Sequence, residues 1–251
     1  MRAERKTVSA AVLKHTALVL MFICHLSVCR HLNGAGPAEW FYNFQWYLTR
    51  PAFVLFAFLL SEGMLHTRDR RKYLLRLLGA AILSEYFYDI MLGGRFPYWG
   101  SQNILFTLFL GALTICLLDR YKSRPAVAAV FTVLILAFAS LTRIDYGFMG
   151  IALILVFYYL REKKALKYVA AGAVLFVLWF AQRLVYDLQA SSTPNFTVCL
   201  HAALQEAHGM LAFPLLAMYS GEKGRQLPQW FYYLFYPGHL AIILLITRLF
   251  F

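Results

Sequence analysis

Apolar stretches of about 20 residues recur along this chain, separated by short polar connections. The first, Val8 to Val28, reads VSAAVLKHTALVLMFICHLSV. That is long enough to cross a bilayer core, which takes roughly 20 apolar residues in a helix. Nine such segments can be drawn, near 8–28, 46–65, 73–92, 102–118, 126–141, 146–160, 166–186, 200–219 and 231–251. None shows the ten-residue alternation of a barrel strand, and hydrocarbon demands that each backbone group be satisfied within its own segment. The pattern therefore predicts an all-α, polytopic integral membrane protein, with about nine transmembrane helices in one bundle and residues 1–251 forming a single membrane-embedded domain. The fifth and sixth segments are short and meet at a tight connection, Thr142–Asp145, which predicts tilted or partly re-entrant helices there.

Two costly residues interrupt the first segment. Lys14 and His25 stand eleven residues apart, which at about 100° per residue is three turns plus about 20°, so they share one helical face. At about 1.5 Å of rise per residue they lie about 16 Å apart along the axis. Ionisable groups inside a span are expensive and mark functional sites.

Composition narrows the class further. The chain is 61% hydrophobic and 14% charged, against about 45–50% and about 25% for a soluble domain. The net charge of +12 suggests nucleic acid until its distribution is read. Counted on alternate sides of the nine segments, 17 Lys and Arg fall on one side, beginning with Arg2, Arg5 and Lys6, and six on the other. This is the positive-inside asymmetry. It predicts a cytoplasmic N-terminus, an external C-terminus and contact with anionic lipid, with no nucleic-acid partner. The four cysteines form no CxxC pair, so neither a metal site nor a disulfide framework is expected. Lys14 and His15 break the apolar run of the first segment, which predicts a retained helix rather than a cleaved leader.

With that topology, His25, Arg50, Glu85, Asp89, Asn103 and Asp145 fall in the outer half of the membrane, together with a stripe of His201, Gln205 and His208 on the eighth segment. His239 lies at mid-membrane on the ninth. Scattered polar groups of this kind serve as interhelical glue, worth about 0.6 kcal/mol each. Gathered in one half, they suggest a polar chamber opening outward. Glu85 and Asp89 share a face at i, i+4, and an imidazole oriented by a carboxylate is the usual form of a general base. On the opposite side, Arg68, Arg71 and Lys72 form a dense basic turn whose forked donors suit phosphate. Soluble-enzyme templates (a Gly-rich phosphate loop, GxSxG, HExxH) are absent from the sequence.

Several stretches together resemble a known family. Arg50-Pro51-Ala52-Phe53-Val54-Leu55-Phe56 through Ser61-Glu62-Gly63 is followed by His66-Thr67-Arg68 and Tyr73-Leu74-Leu75-Arg76-Leu77; then come Ser84-Glu85, Asp89, Asn103, Phe106-Thr107-Leu108, Asp145-Tyr146-Gly147, Gly150 and Phe235-Tyr236-Pro237-Gly238-His239-Leu240. These resemble the TraX family of bacterial membrane acetyltransferases. The wider transmembrane acyltransferase superfamily carries a basic residue, ten others and a His in its first helix, which Lys14 to His25 matches, and often an Arg-x-x-Arg in a cytoplasmic connection, which Arg68 to Arg71 matches.

The resemblance implies a plasma-membrane enzyme that moves an acetyl group from cytoplasmic acetyl-CoA, its co-substrate, to an amine or hydroxyl on the outer side. The founding members acetylate the N-terminal amine of pilin, so the expected acceptors are a pilin, an exported peptide or a glycan. Carried onto this chain, His25 is the expected base with Glu85 or Asp89 orienting it; Lys14, Arg68, Arg71 and Lys72 are the expected CoA contacts; Arg50, Asn103, Asp145 and His239 are the expected acceptor contacts. One departure stands out: TraX-like chains commonly place an Asp before the first-helix His, and here it is Cys24. The competing class is a proton-coupled transporter relaying through Glu62, Glu85, Asp89 and the histidines. It predicts related halves, and the sequence contains no internal repeat.

Overall fold

The structure, a computed structural model, describes residues 7–32, 39–190 and 193–250. Arg2, Arg5 and Lys6, counted above toward orientation, lie outside the described residues, as does the last position of the ninth predicted segment. The helices are α1 (Ala10–Leu32), α2 (Glu39–Thr49), α3 (Pro51–His66), α4 (Arg70–Gly93), α5 (Ile104–Arg120), α6 (Pro125–Leu141), α7 (Gly147–Tyr159), α8 (Lys164–Ala173), α9 (Trp179–Ala190), α10 (Phe196–Ala207), α11 (Phe213–Ala217) and α12 (Gln229–Phe250). A π turn, Val174–Leu178, joins α8 to α9, and a 3-10 turn, His208–Ala212, joins α10 to α11. α2 runs into α3 at Arg50–Pro51, so among the described residues there are nine helical passages, in the order the apolar pattern predicts. The second starts at Glu39 rather than near 46, because its first turns are aromatic and amphipathic rather than uniformly apolar. Four passages are long and apolar enough to cross a membrane, those of α1, α2–α3, α8–α9 and α12. α6 and α7 are the shorter apolar helices expected on either side of Thr142–Asp145.

Local chemistry sets several helix ends. Asn103 caps α5 by accepting from the Leu105 amide at 3.0 Å, and Asp69 caps α4 by accepting from the Lys72 amide at 2.9 Å. Pro51 and Pro125 open α3 and α6, where a missing N–H costs nothing. Gly94, at φ +65°, closes α4 in the left-handed conformation that favours glycine.

α3 is the central passage. From Pro51 to Ser61 its side chains are buried, except Phe56 and Leu59. It packs on α1, α7 and the 3-10 turn, while α4 lies between α5 and α12. Leu13, Leu55, Met64, Ile115, Leu153, Ile154 and Phe157 fill the core between them. α5 meets α7 closely at Gly111, where an added Cβ would sit 2.5 Å from Ile154 Cδ1. Exposed Val19, Ile82, Val130, Leu134, Val169 and Leu245 cover the outer faces, as side chains facing lipid would.

Candidate active site

Two cavities run in series through the bundle between α1, α3, α4 and α5. The inner one, about 210 Å³, is lined chiefly by apolar side chains, among them Leu18, Leu59, Leu77 and Leu108, with Lys14 at its edge. The second, about 380 Å³, is the polar chamber: Cys24, His25, Arg50, Asp145, Tyr146 and Glu206 line it, with Trp46, Phe53 and Trp179. Lys14 and His25 thus border different cavities on the same side of α1, as their helical spacing predicts.

The state of His25 follows from its neighbours. His239 Nδ1–H donates to the Phe235 carbonyl at 2.8 Å, since a carbonyl only accepts. The neutral His239 ring then has an unprotonated Nε2. His25 Nδ1 lies 2.7 Å from it and is the donor. His25 Nε2 is left as a lone pair, the form a general base requires. Tyr236 sits edge-on to His25 at 5.6 Å and Phe235 stacks on His239 at 5.1 Å, so both rings are held by packing as well.

Arg50 forms the opposite wall. Its guanidinium pairs with Glu206 Oε1 at 2.9 Å, donates to Tyr146 OH at 3.2 Å, and stacks 3.9 Å from the Trp46 ring centre. Both side chains of the ion pair are only 9% exposed. Glu206 Oε2 is buried without a hydrogen-bond partner among the described residues. Asp145 lies in the α6–α7 connection, where burial raises its carboxyl to about 6 and Glu206 adds to the rise, against the pull of Arg50. Two carboxylates therefore face one guanidinium.

Backbone irregularities surround this chamber. Tyr146 sits at φ +59°, a conformation that costs a side-chain-bearing residue roughly 1–2 kcal/mol. A short bridge holds it there: Gln102 N–H donates to Arg143 O at 3.1 Å and Asp145 N–H to Gln102 O at 3.0 Å. Thr107 donates to the Asp145 carbonyl, and Phe53 stacks on Tyr146 at 3.9 Å. The π turn delivers Trp179 to the same cavity, and the 3-10 turn follows directly after Glu206 and Ala207. Such departures from regular helix cluster at functional sites.

The structure redistributes the residues expected to act together. Neither Glu85 nor Asp89 orients His25: among the described residues its hydrogen-bond partner is His239. Glu85 accepts from the Asn103 backbone and side-chain amides, and Asp89 accepts from the Tyr98 amide at 2.8 Å, so both hold the loop that leads into α5. Asn103 is committed to the same cap and also donates to Ala81 O at 2.9 Å. The physical reason is that α5 begins deep in the bundle, so the amide at its start takes Glu85 as acceptor while the loop amide of Tyr98 takes Asp89. His239 stands behind His25 rather than at the chamber wall, whereas Arg50 and Asp145 do line it. The stripe along α10 and the 3-10 turn after it clasps α2: His201 meets Tyr47 OH at 3.2 Å and His208 stacks on the same ring.

At the other end, Arg68 in the α3–α4 turn and Arg71 and Lys72 in the first turn of α4 are exposed, between Gly63 and Tyr73, both of which line the inner cavity. Lys14 donates to Gln226 Oε1 at 2.8 Å and lies 4.8 Å from the Tyr232 ring, beside a hollow it shares with Lys223. Glu206, Lys223 and Gln226 were missed from the sequence. Glu206 carried a legible signal, being a carboxylate inside the eighth predicted span. Lys223 and Gln226 carried none, lying in a connection whose path back to α1 is set by long-range contacts: Ala10 and Ala11 amides donate to Glu222 and Lys223 carbonyls.

The TraX protein family model matches residues 9–247. The chain belongs to the TraX family. A relative from Dichelobacter nodosus, described as probable fimbrial assembly protein FimC of serogroup H1, is 30% identical over 246 residues, covering 94% of each chain. No solved structure matches the chain. The TraX match takes in both cavities, from Lys14 and His25 on α1 to His239 on α12. The groups of this TraX chain that meet at the chamber are therefore a neutral imidazole pair, a buried Arg50–Glu206 ion pair and Asp145.

Proposed function

We propose that this protein is a membrane acetyltransferase that takes acetyl groups from acetyl-CoA at the Lys14 end and passes them to an amine in the His25 chamber. The observation that carries the reading is the His25–His239 relay, which presents an unprotonated Nε2 at one end of a path whose other end is a half-buried lysine. In this reading the CoA phosphates meet Lys14, Lys223 and the exposed Arg68, Arg71 and Lys72, and the inner cavity takes the pantetheine arm. Its apolar lining suits that chain, and the roughly 16 Å from Lys14 to His25 suits its length.

Atoms and charge balance in the transfer. A cationic acceptor first releases one proton to chamber water; its neutral nitrogen then attacks the thioester carbonyl carbon while His25 Nε2 removes a second proton, the C–S bond breaks, and the CoA thiolate recovers that second proton. An N-acetyl acceptor and CoA thiol result. His239 positions His25 and shares the charge of the imidazolium. An excess of carboxylate at the far wall, including the unpartnered Glu206 Oε2, favours a cationic amine over a neutral glycan hydroxyl. Membership of the TraX family and the fimbrial-assembly description of the relative support a pilin or another exported protein as acceptor. The 17-to-six asymmetry of basic residues supports a bacterial plasma membrane placement with the N-terminus cytoplasmic.

The test is acetylation of an amine-bearing peptide by purified protein and acetyl-CoA, read by mass spectrometry. His25→Ala is expected to lose roughly 10²–10⁴-fold in kcat. Near-normal transfer by a folded His25→Ala protein overturns the assignment.

A further inference from the structure

Among the residues lining the two cavities, Phe56 borders both. On α1, α3, α4 and α5, which line both cavities, the lining residues change once from one cavity to the other. On α1 the change falls between Leu18 and Met21, and on α5 between Leu105 and Ile104. On α3, Phe53 faces the chamber, Leu59, Leu60 and Gly63 face the inner cavity, and Phe56 lies between them. α3 is otherwise buried from Pro51 to Ser61, and Phe56 is one of two side chains there with partial exposure. The ring also packs against both neighbouring apolar clusters, the one around Leu55 and Phe157 and the one around Tyr88 and Leu240.

We propose that the Phe56 ring is the partition between the two cavities and must swing aside for anything to pass from the Lys14 side to His25. Phenylalanine is well fitted to such a role, because it fills a cross-section with one rigid ring that turns about two torsions and offers water no hydrogen bond. In the acetyl-transfer reading, on which this consequence rests, the closed ring keeps chamber water from a thioester waiting in the inner cavity. Attack by that water would break the C–S bond and release acetate and CoA thiol, with no acceptor modified. Phe56 would thus be a positioning residue that sets the ratio of transfer to hydrolysis.

The partition can be tested without any enzymatic readout, because Cys24 lines the chamber. In full-length protein carrying Cys29→Ser, Cys116→Ser and Cys199→Ser, Cys24 is probed with a charged, membrane-impermeant methanethiosulfonate in vesicles of either orientation. With Phe56 present, labelling is expected from the chamber side alone. In Phe56→Ala this one-sidedness is lost and the reagent also reaches Cys24 from the Lys14 side. Phe56→Leu, a smaller change that keeps the packing, gives the same direction should the alanine variant fail to fold. Alongside, acetate release without acceptor rises relative to transfer. Two-sided labelling of the parent, or one-sided labelling of a folded Phe56→Leu or Phe56→Ala protein, overturns the partition. Wild-type protein that neither transfers nor hydrolyses acetyl-CoA overturns the acetyl-transfer reading instead, and the labelling still decides the partition.

Discussion

His25 Nδ1 lies 2.7 Å from Nε2 of His239, across 214 residues of sequence. The second ring is itself fixed by the Phe235 carbonyl, so the pair has one consistent neutral tautomer and His25 offers Nε2 to the chamber. Removing His239 should therefore harm catalysis through orientation rather than binding. His239→Ala is expected to lower kcat about 10–100-fold, the size of effect found when the partner orienting an imidazole is lost, with the acceptor KM little changed. His239→Gln, whose amide oxygen can accept from Nδ1, should recover part of the loss. Steady-state kinetics on the purified variants decides this.

The Arg50–Glu206 pair predicts a stability effect. Both side chains are 9% exposed, so Glu206→Ala takes away the salt-bridge partner of a buried guanidinium and leaves it Asp145 alone as counter-charge. Breaking a buried pair from one side costs about 3–5 kcal/mol, expected as a marked drop in Tm in detergent. Replacing both partners, Arg50→Met with Glu206→Leu, should restore much of it, because the guanidinium goes with its partner and Asp145, freed of its pull, holds its proton more readily. A Glu206→Ala protein as stable as wild type contradicts the pairing.

Glu85 should behave as a cap rather than as part of the chemistry. Its Oε2 accepts from both amides of Asn103 at the start of α5. Glu85→Ala leaves those donors unmatched, at about 1–3 kcal/mol. Thermal unfolding should register this, while kcat of the folded protein falls far less than in His25→Ala. A loss in kcat equal to that of His25→Ala returns Glu85 to the catalytic set.

Asp145 predicts a pH dependence. Burial raises its carboxyl to about 6, with Arg50, Glu206 and Tyr146 beside it. A carboxyl raised on folding holds its proton to higher pH than in the unfolded chain, so it stabilises below the usual carboxylate range and that contribution is lost as pH rises toward 6. The charge that would attract a cationic acceptor appears over the same interval. The acceptor KM should therefore fall as pH rises through about 6, and Asp145→Asn should remove that step from the profile.

Residue periodicity was enough for the helical passages, for the shortness of α6 and α7 and for the shared face of Lys14 and His25. Each rests on local physics: a span must be apolar over roughly 20 residues, a helix turns about 100° per residue, and an ionisable group in such a span needs a reason to be there. Glu206 obeys that last rule and was legible in principle.

Partnership was not legible. Glu85 and Asp89 share a helix face with the spacing of a carboxylate pair, and helical geometry alone sends both toward the histidine. The fold instead starts α5 inside the bundle, so the Asn103 amide at its start claims Glu85 and the Tyr98 amide in the loop before it claims Asp89. The orienting group for His25 then comes from α12, and the counter-ion for Arg50 from α10. Local pattern was sufficient for the membrane-helical class and for the two ends of the path. The relay, the ion pair and the Phe56 wall between the cavities emerge from packing alone. Spacing along one helix fixes which way a side chain faces, whereas the group it meets depends on how separate helices come together.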